Sequence, residues 1–318
     1  MKRCLLSLIC FVATILFSFL TPQFSYAIIN PDRELKVGEA SYVASIQTWT
    51  GESYESFCSG SLISPLIIIT AAHCIVDYDQ DDASTWVAYF SENTLSSPNG
   101  LRVDIVSALY HQKYEDSLST IQINPDGTET VLKEGYVAPG TSEFDADIAI
   151  LLLRSPITEI KPVTMARANT QIAANWRVYG WGATQSDMLI KNTMLRTASV
   201  NDATVEMSEQ LEDPMENIYA AYGLDSLGQI RTTCYGDSGG PLVDGKGLLI
   251  GLTSFAMVEN CEEIAPTVYT KVASYRTWIL RNSITIQSRY ARMNTLPIGT
   301  PVFDAPTHKH PIKVYGRW

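Results

Sequence analysis

Short apolar runs, each closed off by Gly, Pro, Asn or Asp, constrain this chain more than any other feature. Tyr42 to Thr48, Gly60 to Ile63, Ile67 to Ala71, Trp86 to Phe90, Ile105 to Tyr110, Ile148 to Leu153, Trp176 to Tyr179, Leu248 to Leu252 and Thr267 to Val272 are all of strand length. Almost no amphipathic helical pattern separates them, which points to an all-β sandwich or barrel. The body is too long for one small barrel, so two packed barrels are expected, divided near Ser155 to Thr170: the first over about 28–160, the second over about 161–272. One clear helix is predicted over Ala273 to Ser283. Glu115 to Ala146, acidic and broken by Pro125-Asp126-Gly127 and Pro139-Gly140, reads as a long polar loop with room for one hairpin.

The two ends are basic and the body is acidic. With 46% hydrophobic residues the chain can bury a core, and a net charge of −11 argues against a sequence-independent grip on nucleic acid. Lys2 and Arg3, an apolar run from Leu5 to Leu20, and Ser25-Tyr26-Ala27 read as a secretory signal peptide over residues 1–27. That run falls short of the roughly 20 residues a membrane-spanning helix needs, so no stable membrane insertion is expected after its removal. Residues 285–318 form a basic tail with Pro297, Pro301, Pro306 and Pro311, expected to be extended or loosely packed.

Loss of the leader removes Cys4 and Cys10 and leaves Cys58, Cys74, Cys234 and Cys261 in a chain bound for an oxidising compartment, extracellular or periplasmic. Four cysteines allow three pairings, which the sequence alone does not separate. No C-x-x-C or paired Cys/His spacing is present, so zinc is not expected. Asp77 to Asp82 invites a calcium reading, but Asp82 and Ala88 stand where a twelve-residue EF-hand loop needs Gly and Glu, and a solvated turn is the simpler account.

Three strings carry the chemistry: Thr70-Ala71-Ala72-His73-Cys74, Asp145-Ala146-Asp147-Ile148-Ala149, and Cys234-Tyr235-Gly236-Asp237-Ser238-Gly239-Gly240-Pro241. A lone His is usually structural and a lone Asp usually solvated. Together and in this order they resemble the trypsin-like (chymotrypsin-fold) serine endopeptidases, over Ile28 to Ser283. The resemblance implies two packed six-stranded antiparallel β-barrels with a C-terminal helix, a catalytic triad of His73, Asp147 and Ser238, and no cofactor. It also implies an oxyanion hole from the N–H groups of Gly236 and Ser238, support of Asp147 by Ser254, and disulfides Cys58–Cys74 and Cys234–Cys261. Trp176 and Asp244 stand where a further bridge would sit, and Ala220 replaces a cysteine of another. The substrates implied are proteins or peptides, cut by a monomer.

Family members switch on when a freed amino terminus inserts and pairs with the Asp before the nucleophile. Here those residues are Ile28 and Asp237, and Ile28 directly follows the signal-cleavage site, so signal removal itself would generate the active form. The terminus reads Ile28-Ile29-Asn30-Pro31, with Asn-Pro in place of Gly-Gly. The position six before the nucleophile, an Asp in Lys/Arg-specific members, is Thr232, and the two pocket-wall positions are Ala256 and Thr267. A shallow, uncharged specificity pocket follows, suited to small or medium residues. A lipase or esterase would need the order Ser, Asp, His. A non-catalytic homologue used for binding would typically have lost part of the triad.

Overall fold

The computed structural model describes residues 28–35, 38–76, 86–91, 94–95, 97–117, 119–123, 129–133, 145–183, 194–211, 215–258, 260–295 and 314–315. The expected leader, the acidic run Asp77 to Asp82 and most of the Pro-rich tail lie outside these residues.

After β1 (Arg33–Glu34), the strands β2 (Val43–Trp49), β3 (Tyr54–Ser64), β4 (Ile67–Thr70), β5 (Trp86–Phe90), β6 (Leu101–Tyr110) and, further on, β9 (Ala149–Leu153) make one closed antiparallel barrel in the order β2-β3-β4-β9-β6-β5. Between β6 and β9, β7 (Ser119–Ile123) and β8 (Glu129–Lys133) form the hairpin anticipated in the acidic segment. The second barrel follows β10 (Trp176–Gly180), β11 (Arg196–Asp202), β12 (Ile218–Leu224), β14 (Pro241–Val243), β15 (Leu249–Ala256) and β16 (Thr267–Lys271), and closes because β11 pairs with β12. Of its two outer strands, β13 (Ile230–Arg231) pairs with β12 and β1 with β11. A final strand, β17 (Val314–Tyr315), pairs with β7.

The continuous apolar run of β4 has a direct cause. Ile68 points into the first barrel with Leu62, Phe90, Ile105 and Leu151, whereas Ile67 and Ile69 face the other way. There they meet Ile150, Leu152, Tyr179, Trp181, Leu249 and Leu252, the seam between the barrels. A strand buried on both faces cannot alternate apolar with polar residues.

Two boundaries differ from expectation. The N-terminal segment, assigned by chain order to the first barrel, belongs to the second: Ile28 lies in that barrel's interior cluster, Ile29 bridges to Thr232, and Arg33 pairs with Thr197. The C-terminal helix does not stop at Ser283 but spans Val272–Thr295. Its apolar face continues through Ile286, which is buried in the seam, and Tyr290 packs against it. Asn282, Ser283 and Thr285 look like turn residues, yet their side chains donate to the carbonyls of Trp278, Ile279 and Arg281, four residues back. Another helix, Thr204–Leu211, was not anticipated; Asp202 caps it by accepting from the Thr204 N–H at 2.9 Å.

Candidate active site

His73 opens a single helical turn, His73–Val76, directly after β4, and Asp147 lies two residues before β9, which pairs with β4. This pairing brings the two side chains together. The Asp147 carboxylate accepts the His73 backbone N–H on Oδ1 at 2.9 Å and lies 2.8 Å from the ring Nδ1 through Oδ2. Oδ2 also accepts the Ser254 hydroxyl at 2.5 Å, and the Asp147 carbonyl accepts the Thr270 hydroxyl at 2.8 Å. Asp147 is therefore fixed from both barrels.

Burial alone would raise the Asp147 pKa. The neighbouring His73 ring and the hydrogen bonds from His73 and Ser254 outweigh that and hold it below the usual carboxylate value. An ionised carboxylate only accepts, so Nδ1 carries its hydrogen toward Oδ2. With Nδ1 so engaged, Nε2 is the nitrogen that is unprotonated whenever the ring is neutral.

Ser238 sits on the loop before β14, and its backbone anchors this loop to the first barrel. Its carbonyl accepts the Ser59 N–H at 2.8 Å, while the Ser59 hydroxyl donates to the Gly236 carbonyl at 2.9 Å. On the other side, the Gly239 N–H donates to the Thr253 carbonyl at 2.8 Å, one residue from Ser254. Gly236 and Gly239 both have positive φ, 90° and 74°. At Gly239 a side chain is also excluded by space, since a Cβ would fall 1.9 Å from Thr70 Oγ1 and 2.5 Å from the Ser59 carbonyl oxygen. Among the described residues, the backbone N–H groups of Gly236 and Ser238 have no hydrogen-bond partner. Ser59 escaped the sequence reading; the only trace of its role is that Ser59, Gly60 and Ser61 are small residues in a run that turns out to be buried.

Asp237 is fully buried and accepts the N–H groups of Gly182 at 2.8 Å and Cys234 at 2.9 Å. Burial pushes its carboxyl up to about 7, and the two backbone bonds offset only part of that. Ile28, with φ 61°, is also completely buried.

The three residues expected at the specificity pocket also come together. Thr232 and Thr267 share a hydrogen bond of 2.6 Å between their hydroxyls, and Ala256 is the cross-strand partner of Thr267. Thr233, not anticipated, adds its hydroxyl to Thr267 at 3.1 Å.

Both disulfides implied by the resemblance are present, Cys58–Cys74 with Cα atoms 6.2 Å apart and Cys234–Cys261 with 5.5 Å. His73 lies beside the first, but its two sulfurs are bonded to each other and offer no thiolate to a metal.

A family model described as Trypsin matches residues 29–279. The chain belongs to the trypsin family. Its similar relatives include chymotrypsin-like elastase family member 1 of Bos taurus, 28% identical over 74% of this chain and 82% of that protein, and of Homo sapiens, 29% identical over 74% and 84%. Hypodermin-B of Hypoderma lineatum is 28% identical over 71% and 78%. A solved structure of neuropsin, a serine protease expressed in the limbic system of mouse brain, matches with a TM-score of 0.60 and 25% identity, covering 80% of this chain and all of that one. As a trypsin-family member the chain is a serine-type endopeptidase acting on protein or peptide substrates.

Proposed function

We propose that this trypsin-family chain is a secreted endopeptidase that cuts peptide bonds through an acyl-enzyme formed on Ser238. The observation that carries the reading is the hydrogen-bonded chain Ser254–Asp147–His73, which holds the ring by Nδ1 and so assigns the part of base to Nε2. A Ser hydroxyl is a weak nucleophile near neutral pH. Nε2 of His73 would take its proton as Ser238 Oγ bonds to the scissile carbonyl carbon, whose oxygen becomes an oxyanion received by the N–H groups of Gly236 and Ser238. The imidazolium, stabilised by Asp147, then protonates the leaving amine as the C–N bond breaks. Water repeats the sequence on the ester, returning Ser238 and releasing the acid.

The substrate residue before the cut would be small or medium and uncharged. Thr232 and Thr267 satisfy each other's hydroxyls, so the pocket base offers a substrate ammonium or guanidinium neutral hydroxyls in place of a carboxylate. The elastase relatives agree with that preference. Release of residues 1–27 would leave Ile28 as the amino terminus, and its ammonium would pair with Asp237. An uncompensated buried carboxyl with a pKa near 7 is what such a partner relieves.

A fluorophosphonate that esterifies active serines should label the secreted protein at Ser238, and Ser238→Ala should abolish both labelling and peptide hydrolysis. Hydrolysis persisting in Ser238→Ala would overturn the mechanism. In a peptide library, a strong preference for Lys or Arg before the cut would overturn the pocket reading. N-terminal sequencing of the active protein should begin at Ile28.

A further inference from the structure

The terminus Ile28-Ile29-Asn30-Pro31 is followed by Asp32, whose carboxylate gathers donors from three strands of the second barrel. Oδ2 accepts the Ser199 N–H at 2.8 Å and the Ser199 hydroxyl at 2.5 Å, both from β11, and the Arg177 guanidinium of β10 at 3.2 Å. Oδ1 accepts Arg231 of β13 at 2.5 Å. The Asp32 side chain is only 15% exposed, so these charge-assisted bonds are partly shielded from solvent. Upstream, Asn30 donates its side-chain amide to the Ile230 carbonyl at 2.8 Å, and Ile29 donates its N–H to the Thr232 carbonyl at 3.0 Å. Residues 29, 30 and 32 are thus all tied to the stretch Ile230-Arg231-Thr232, which ends in the base of the specificity pocket. Pro31, with its fixed φ, stiffens the link between Asp32 and Ile28.

We propose that Asp32 is a positioning residue for the amino terminus: its clamp by Arg177, Arg231 and Ser199 seats Ile28 beside Asp237 and, through Arg231, ties that seating to Thr232. The inference rests on the reading of Ile28 as the activating terminus. Where Gly-Gly would be free to find its seat, this chain holds a stiffer segment by one buried-edge carboxylate. The same contact then serves docking and the shape of the pocket.

The test uses the purified mature chain, treated with acetic anhydride and read by mass spectrometry of its N-terminal peptide, beside kcat/KM on a peptide with a small uncharged residue before the cut. A docked ammonium is shielded from acylation. Asp32→Asn keeps the shape of the side chain but removes the charge, and should speed acetylation of Ile28 by about ten- to a hundredfold, with kcat/KM falling in step and far-UV circular dichroism unchanged. Arg231→Gln should do the same and also raise KM, Arg231→Lys should recover part of the loss, and Asp32→Asn/Arg231→Gln together should be little worse than either alone. Ile28 as protected in Asp32→Asn as in the parent chain would overturn the clamp. Should Asp32→Asn not fold, Ser199→Ala removes one donor only and should still speed acetylation about threefold; no change there also overturns it. Rapid acetylation of Ile28 in the fully active parent chain is a different result, and it removes the activation reading on which the clamp depends.

Discussion

At the scale of single residues, the site is a chain of fixed donors and acceptors, and each link has a measurable consequence. Ser254 supplies one of the hydrogen bonds that keep the buried Asp147 ionised. Ser254→Ala should therefore lower kcat by about tenfold or more with little change in KM, since a hydrogen bond to a charged group is worth about 1.5–3 kcal/mol. Asp147→Asn should cost about ten-thousand-fold in kcat, because an amide no longer fixes the ring tautomer; the figure is the one general to Ser-His-Asp triads. Gly239→Ala meets both a positive φ and backbone at 2.5 Å, and should abolish activity while lowering the unfolding midpoint measurably in urea. His73, Asp147 and Ser238 were legible because each sits in a short string whose neighbours are restricted by the same geometry. Ser59 was not, since its contacts reach Gly236 and Ser238, far away in sequence, and exist only once the barrels have packed.

At the scale of elements, strands bounded by turn residues could be read closely, and Trp86 to Phe90 coincides with β5. Among the strands that no sequence run marks, β11, β12 and β14 owe their burial to neighbours more than to pattern. Arg196 and Thr197 of β11 are buried although polar, because β1 and β10 flank them on either side. The C-terminal helix outran its expected end because its apolar face keeps going, and the hydroxyl and amide side chains that suggest a stop are satisfied by the carbonyls four residues back. A neighbouring pair of residues tests this account. Ile286→Ala should cost about 2–5 kcal/mol in denaturant unfolding, the usual range for a buried Ile, whereas Ile284→Ala, at a position 67% exposed, should stay within about 0.5 kcal/mol. Equal losses would mean that the last turns do not pack on the seam.

For the whole molecule, the state of the amino terminus should appear as a pH dependence of stability. With chain still attached before Ile28, as in the full-length protein, Asp237 has its carboxyl raised to about 7 from an ordinary 3.8. Between those values the folded state holds a proton that the unfolded state has released, so stability falls as pH rises from about 4 to 7, by on the order of 4 kcal/mol. If the proposed pairing holds, the ammonium of a terminal Ile28 favours the ionised carboxylate, and that loss should shrink or vanish. Urea unfolding of both chains from pH 4 to 8, with Asp237→Asn in the extended chain as the reference, measures the difference; parallel curves would count against the pairing. By itself the sequence determined the strand-rich body and the three strings that hold His73, Asp147 and Ser238, because turn residues, apolar runs and tight loops are local demands on the backbone. Only the tertiary structure decided that residues 28–34 belong to the second barrel, that Ser59 holds the loop of Gly236 and Ser238, and that Asp32 meets two arginines from separate strands. Those partners are distant in the chain, and it is the closure and packing of the barrels that brings them within reach of a hydrogen bond.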